Sequence, residues 1–273
     1  MTRAAPAGVG WSVIERGSGR PLLLLHGFTG AARSWAGHLD ALAVRHRVIA
    51  PDLPGHGQTP PTADAAGMTV ERTADALAAL LGRLAAVPAD VVGYSMGARI
   101  ALRLAIAHPG SVGRLVLESP SAGIADAGER AARRAADEAL AERIVRDGIG
   151  SFVTGWERTP VFATHASMAP DVVARQRAIR LASNPDGLAA SLRAAGQGAM
   201  EPLQDRLAEV AAPTLVIGGM LDTVGRARLE LVARGIHGAR LVLLEGVGHT
   251  PHLESPDAFR QLVLDFTEED LPA

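Results

Sequence analysis

The chain has no cysteine among its 273 residues. Disulfides and thiol chemistry are thereby excluded. It also has no lysine, so all 27 basic residues are arginine. Any recognition of anions must therefore use guanidinium groups, which grip carboxylates through two parallel hydrogen bonds. No run approaches the ~18 uninterrupted apolar residues of a membrane span. The first ten residues hold one arginine and no long apolar core, unlike a signal peptide, and a cytoplasmic location is expected. The net charge of −2 supplies no polybasic surface. Nucleic acid and anionic membrane are accordingly not expected partners. What remains is ordinary for a globular protein, with 48% hydrophobic and 21% charged residues. The length allows one large domain or two modest ones and a substantial core.

Read in order, short apolar runs alternate with helical patterns. Trp11 to Arg16, Leu22 to Leu25, Arg47 to Ala50, Asp90 to Gly93, Arg114 to Glu118, Pro213 to Gly218 and Ala239 to Leu244 are strand candidates. Continuous aliphatic runs such as Leu22 to Leu25 suit strands buried on both faces of a parallel sheet. Helical spacing marks Ser34 to Ala43, Val70 to Ala86, Ala98 to Ala107 and Pro256 to Phe266. In Val70 to Ala86 the leucines at 77, 80, 81 and 84 form one apolar stripe. Alternation through short connections predicts an α/β fold, a mostly parallel central sheet flanked by helices. The alternation breaks between residues 121 and 206, where only helical patterns occur: 126–147, 149–156, 170–182 and 187–195. This segment reads as an inserted helical cap. The core would then comprise residues 1–120 and 207–273. Insertions at the carboxyl ends of parallel strands lie where ligands bind.

Gly93-Tyr94-Ser95-Met96-Gly97 stands between a strand and a helix. A serine on so tight a turn is strained, and its flanking positions must lack bulk because strand and helix nearly collide. Serine is a weak nucleophile or base until a histidine takes its proton and an acid orients that histidine. Asp222 and His249 each follow a strand, on the same sheet edge as Ser95. The chain order Ser95, Asp222, His249 is that of a G-x-S-x-G triad. Glu118, also at a strand end, is a competing acid. The amides of Phe28, within His26-Gly27-Phe28-Thr29-Gly30, and of Met96 would converge on one oxyanion. His26 and His56 read as loop-shaping residues. His-Glu-x-x-His is absent, and His249-Thr250-Pro251-His252 has no third ligand nearby, so no metal and no cofactor are expected.

These landmarks, from Leu22 to Phe266, resemble the α/β-hydrolase superfamily. Four stretches are more finely similar to the 2-succinyl-6-hydroxy-2,4-cyclohexadiene-1-carboxylate synthase family of menaquinone biosynthesis. They are Leu25 to Gly30 with Trp35, Gly93 to Arg99, Trp156 to Ala163, and Asn184 to Arg193 with Gly196 and Gly198. The resemblance implies a lyase that eliminates pyruvate, with Ser95 as base and no acyl-enzyme. It implies a carboxylate-bearing small-molecule substrate, clamped by Arg99, Arg133 and Arg177 or Arg180, with Tyr94 and Trp156 lining the pocket. Thr223-Val224-Gly225-Arg226 stands where that family usually has a Lys-Phe pair. The residues alone leave two alternatives open: an esterase or C–C bond hydrolase acting covalently through Ser95, and a non-catalytic binding protein of the same fold. A monomer or homodimer is expected.

Overall fold

The computed structural model describes residues 2–4 and 10–269. Eight strands form one sheet: β1 (Thr2–Ala4), β2 (Trp11–Arg16), β3 (Arg20–Leu25), β4 (His46–Pro51), β5 (Ala89–Tyr94), β6 (Val112–Glu118), β7 (Thr214–Gly219) and β8 (Arg240–Leu244). Their spatial order is β1-β2-β4-β3-β5-β6-β7-β8. The strands from β3 to β8 run parallel, and β1 and β2 pair antiparallel at one edge. The fold is thus the mostly parallel, helix-flanked sheet expected from the alternation.

Both sheet faces are covered, for a reason visible in β5. Val91 belongs to one core cluster and Val92 to the other, since successive strand side chains point to opposite faces. On the first face pack α2 (Val70–Arg83), α3 (Met96–Ala107) and α7 (Arg226–Gly235), through Leu77, Leu80, Leu81, Ile100, Leu104, Leu229 and Val232. On the second pack α1 (Ala36–Ala43) and α9 (Pro256–Glu268), through Leu39, Leu42, Phe259, Val263 and Phe266. Each fully buried Leu or Phe contributes about 1.5–3 kcal/mol over leaving it exposed.

Between β6 and β7 the chain forms α4 (Ala127–Trp156), α5 (Pro170–Leu181) and α6 (Pro185–Ala195), with a 3₁₀ stretch at Pro160–Ser167. Asp126 caps α4 and Asn184 caps α6, each accepting an orphan N–H through its side chain. Ala141, Ile144, Phe152, Val153, Leu188 and Leu192 give these helices their own small core, against which Phe28 packs. The seam with the rest of the fold is very close at Gly55. A Cβ there would lie 2.5 Å from the Gly187 carbonyl oxygen, and Gly55 itself has φ +79°. Only glycine meets both demands.

The expected helices 126–147 and 149–156 meet within α4 at a kink, Gly148, whose φ of +78° and ψ of +166° are non-helical. Helix α7 has no counterpart in the sequence reading, because its buried stripe is only Leu229, Val232 and Ala233 amid arginines. Strand β1 likewise has no counterpart in the sequence pattern. Among the described residues, no helix is long and apolar enough to cross a membrane.

Candidate active site

Ser95 occupies the turn between β5 and α3 with φ +51° and ψ −105°, a conformation costly for any L-residue. The surroundings enforce it. A Cβ on Gly93 would stand 2.5 Å from the Gly97 carbonyl oxygen, and one on Gly97 would stand 2.3 Å from that of Leu25. The Ser95 N–H donates to the Glu118 carbonyl at 2.9 Å, tying the turn to the end of β6.

The three residues picked out in chain order come together in space. His249 Nε2 lies 3.1 Å from Ser95 Oγ, and His249 Nδ1 lies 2.7 Å from Asp222 Oδ2. An Nδ1–H donating to the carboxylate leaves Nε2 free to accept the serine proton. Burial pushes the Asp222 carboxyl up. The hydrogen bond and charge of His249 and the N–H groups of Gly225 and Val224 outweigh it, so the group is held below its ordinary value. Glu118 is engaged elsewhere: its Oε1 accepts the His252 N–H at 2.9 Å and Nδ1–H at 2.7 Å.

Sequence reasoning missed Glu254, which holds the His249 loop from both sides. Its Oε2 accepts the Gly248 N–H at 2.7 Å, and its Oε1 accepts the Thr250 N–H at 2.9 Å and hydroxyl at 2.7 Å. His165, from the helical insertion, lies 2.8 Å through Nε2 from the same hydroxyl. The only signal in the sequence was a lone Glu one turn beyond His249.

Phe28 and Met96 both line the cavity over Ser95. Neither backbone N–H finds an acceptor among the described residues, so both remain available to a ligand oxygen. His26 shapes this loop, donating through Nδ1 to the Gly27 carbonyl at 2.8 Å and accepting the Leu53 N–H at 3.0 Å through Nε2. Burial lowers its pKa to about 4. His56 donates to the Pro54 carbonyl at 3.1 Å, and burial lowers its pKa to about 3. Both are therefore neutral, and each donates to a loop carbonyl.

The cavity has a volume of about 140 Å³ and is lined by Ser95, His249, Arg99, Arg133, Trp156 and Arg228, among others, with no Asp or Glu. Arg99 is buried; one of its nitrogens donates to the Ala195 carbonyl at 2.7 Å. Burial, and then the nearby Arg133 charge, lower its pKa to about 10, so it stays charged at neutral pH. Arg133 pairs with Asp137 at 2.8 Å.

The other two expected clamps lie elsewhere. Arg177 and Arg180 both bind Glu157, and Arg180 also stacks 4.7 Å over Phe162. Arg177 does not line the Ser95 cavity; Arg180 and Tyr94 line a separate hollow of about 30 Å³ beside it. The cause is charge satisfaction: half-buried Glu157 draws both cations. Burial, then the Glu118 charge, push the Tyr94 phenol well above its ordinary value, so it stays protonated. Among the described residues, no group of three or more His, Asp or Glu side chains is placed to hold a metal ion.

A sequence profile of the alpha/beta hydrolase fold family matches residues 20–256. A Bacillus subtilis (strain 168) protein provisionally named 2-succinyl-6-hydroxy-2,4-cyclohexadiene-1-carboxylate synthase is 35% identical, over 95% of each chain. The Klebsiella pneumoniae (strain 342) protein named as that synthase is 32% identical, over 88% of this chain and 91% of its own. The solved structure of MenH from S. aureus superposes with a TM-score of 0.90 at 30% identity, covering 98% of both chains.

Proposed function

We propose, from the premise that this chain belongs to the α/β-hydrolase fold family, that it is a carbon–oxygen lyase. It would eliminate pyruvate from 2-succinyl-5-enolpyruvyl-6-hydroxy-3-cyclohexene-1-carboxylate, the chemistry that forms the product for which its relatives are named. The observation that carries the reading is the pairing of two features. The Ser95–His249–Asp222 chain opens on a cavity lined by guanidinium groups and no carboxylate. An esterase acting on neutral esters has no use for that charge, whereas a substrate with three carboxylates requires it.

The chemistry follows from the substrate. The ring proton at C2 is acidified by the succinyl ketone and by the neighbouring double bond. Ser95 takes it while His249 accepts the serine proton, and Asp222 stabilises the resulting imidazolium. Charge develops on the ketone oxygen, which the amides of Phe28 and Met96 are free to receive. The electron pair forms the C2–C3 double bond, shifts the C3–C4 bond to C4–C5, and breaks the C5–oxygen bond. Enolpyruvate leaves and takes a proton on carbon to become pyruvate. No bond from Ser95 to carbon forms.

Two assays test the proposal: pyruvate release from that substrate, and hydrolysis of short p-nitrophenyl esters. Pyruvate release is expected, and Ser95→Ala should lower its turnover by several orders of magnitude, since the three residues act as a unit. Rapid ester turnover with phosphonate labelling of Ser95, and no pyruvate release, would overturn the lyase in favour of a covalent hydrolase.

A further inference from the structure

The cavity holds a third cation that neither motif nor resemblance pointed to. Arg228 sits in the first turn of α7, six residues beyond Asp222, and lines the cavity with Val224 and Gly225. Its side chain is exposed, and among the described residues it makes no hydrogen bond or ion pair. The other cavity arginines have commitments: Arg99 to the Ala195 carbonyl and Arg133 to Asp137. Its helix neighbours are also committed, since Arg226 and Arg234 both bind Glu230, at 2.9 and 3.6 Å. The nearest acid on α7 is therefore already shared by two arginines. Arg228 keeps all its donors, at the rim of a cavity whose lining includes no acid.

We propose that Arg228 binds a substrate carboxylate and sets specificity for a long-armed polyanion. The inference rests on the lyase reading. Of the three carboxylates on that substrate, one is on the ring and one on the leaving enolpyruvyl group, both close to the reacting carbons. The third ends the succinyl arm, two methylenes beyond the ketone. It ends the longer flexible arm attached to the ketone carbon, and so extends toward the rim while the ketone oxygen stays at the Phe28 and Met96 amides. Arg228 takes it through a two-pronged guanidinium–carboxylate contact.

The test compares wild type with Arg228→Ala and Arg228→Lys on two substrates: the natural tricarboxylate, and the same molecule with its arm carboxylate esterified. Because Arg228 is exposed and, among the described residues, unpaired, the variants should fold normally, which circular dichroism checks. With the tricarboxylate, Arg228→Ala should raise KM by roughly tenfold or more and leave kcat within about twofold. Arg228→Lys should recover part of the loss. The esterified substrate should bind wild type and Arg228→Ala equally. An unchanged KM for Arg228→Ala, or an equal penalty on both substrates, overturns the assignment. If wild type itself releases no pyruvate, the lyase reading fails. Calorimetry with tricarballylate as probe then judges Arg228 separately: weaker binding to Arg228→Ala than to wild type sustains its carboxylate role, and equal binding refutes it.

Discussion

Glu118 receives both the N–H and the Nδ1–H of His252 on a single oxygen, with its carboxylate wholly buried. Two acids therefore stand at adjacent strand ends with separate histidines: Asp222 with His249, and Glu118 with His252. Glu118 also accepts the Ser95 N–H through its backbone, so it fastens α8 (Pro251–Glu254) to the serine turn. Removing one member of a buried pair strands the other, at a cost of about 3–5 kcal/mol. Glu118→Ala should lose about that much stability in urea denaturation. Asp222→Asn should stay folded and lose several orders of magnitude in kcat. The reverse pattern would make Glu118 the orienting acid.

Glu254 leads to a different expectation, because it touches the neighbours of His249 and not the substrate cavity. Loss of its carboxylate frees the Gly248 and Thr250 amides and lets the imidazole wander. Misplacement of about 1 Å can cost on the order of 10²-fold in rate. Glu254→Ala should lower kcat by roughly 10–100-fold with KM little changed. Glu254→Gln, which keeps one acceptor, should fall between. A rise in KM at constant kcat would show that Glu254 shapes binding instead.

The serine turn, Asp222 and His249 were legible because each obeys a local rule: small flanks around a strained serine, polar residues just past apolar strands. Arg99 and Arg133 line the cavity, but the other arginines were not legible, because which way a helix faces depends on what it packs against. Arg177 and Arg180 sit on α5, and Glu157, just past α4, binds both. Arg228 lies on a helix with too few apolar residues to announce itself. Gly148 marks a helix boundary in the sequence, and its non-helical φ of +78° does break the run there. For the arginines a tertiary contact decides, and that is not written in periodicity.

Asp90 supplies a test of pH dependence. It bonds Arg20 at 2.8 Å, while its other oxygen is buried without a partner. Burial outweighs the Arg20 and Arg114 charges and raises its pKa from 3.8 to about 6. Between those values the folded state binds the proton more tightly than the unfolded chain. Stability from this group therefore grows as pH falls from about 6 toward 3.8, and is lost as pH rises through that window. Relative to Asp90→Asn, wild type should gain on the order of 2–3 kcal/mol across it. A wild type that instead loses ground to Asp90→Asn on acidification would mean that the Arg20 charge outweighs burial.

The same single-methyl substitution should act in opposite directions at two glycines. Gly82 lies near the end of α2, and a Cβ there meets nothing within 4 Å. Alanine favours helix over glycine by about 0.8–1.0 kcal/mol in a helix interior, so Gly82→Ala should raise the midpoint of unfolding slightly and leave turnover unchanged. At Gly97 the added Cβ would lie 2.3 Å from one carbonyl oxygen and 2.7 Å from another, those of Leu25 and His26. Backbone cannot yield there without moving β3 or α3, and β3 leads directly into the loop that carries the Phe28 amide. Gly97→Ala should therefore lower both soluble yield and, in any folded fraction, kcat. Unfolding curves and active-site titration with a phosphonate separate the two effects. A Gly97→Ala protein with normal stability and normal phosphonate reactivity would show that the serine turn does not depend on this close approach.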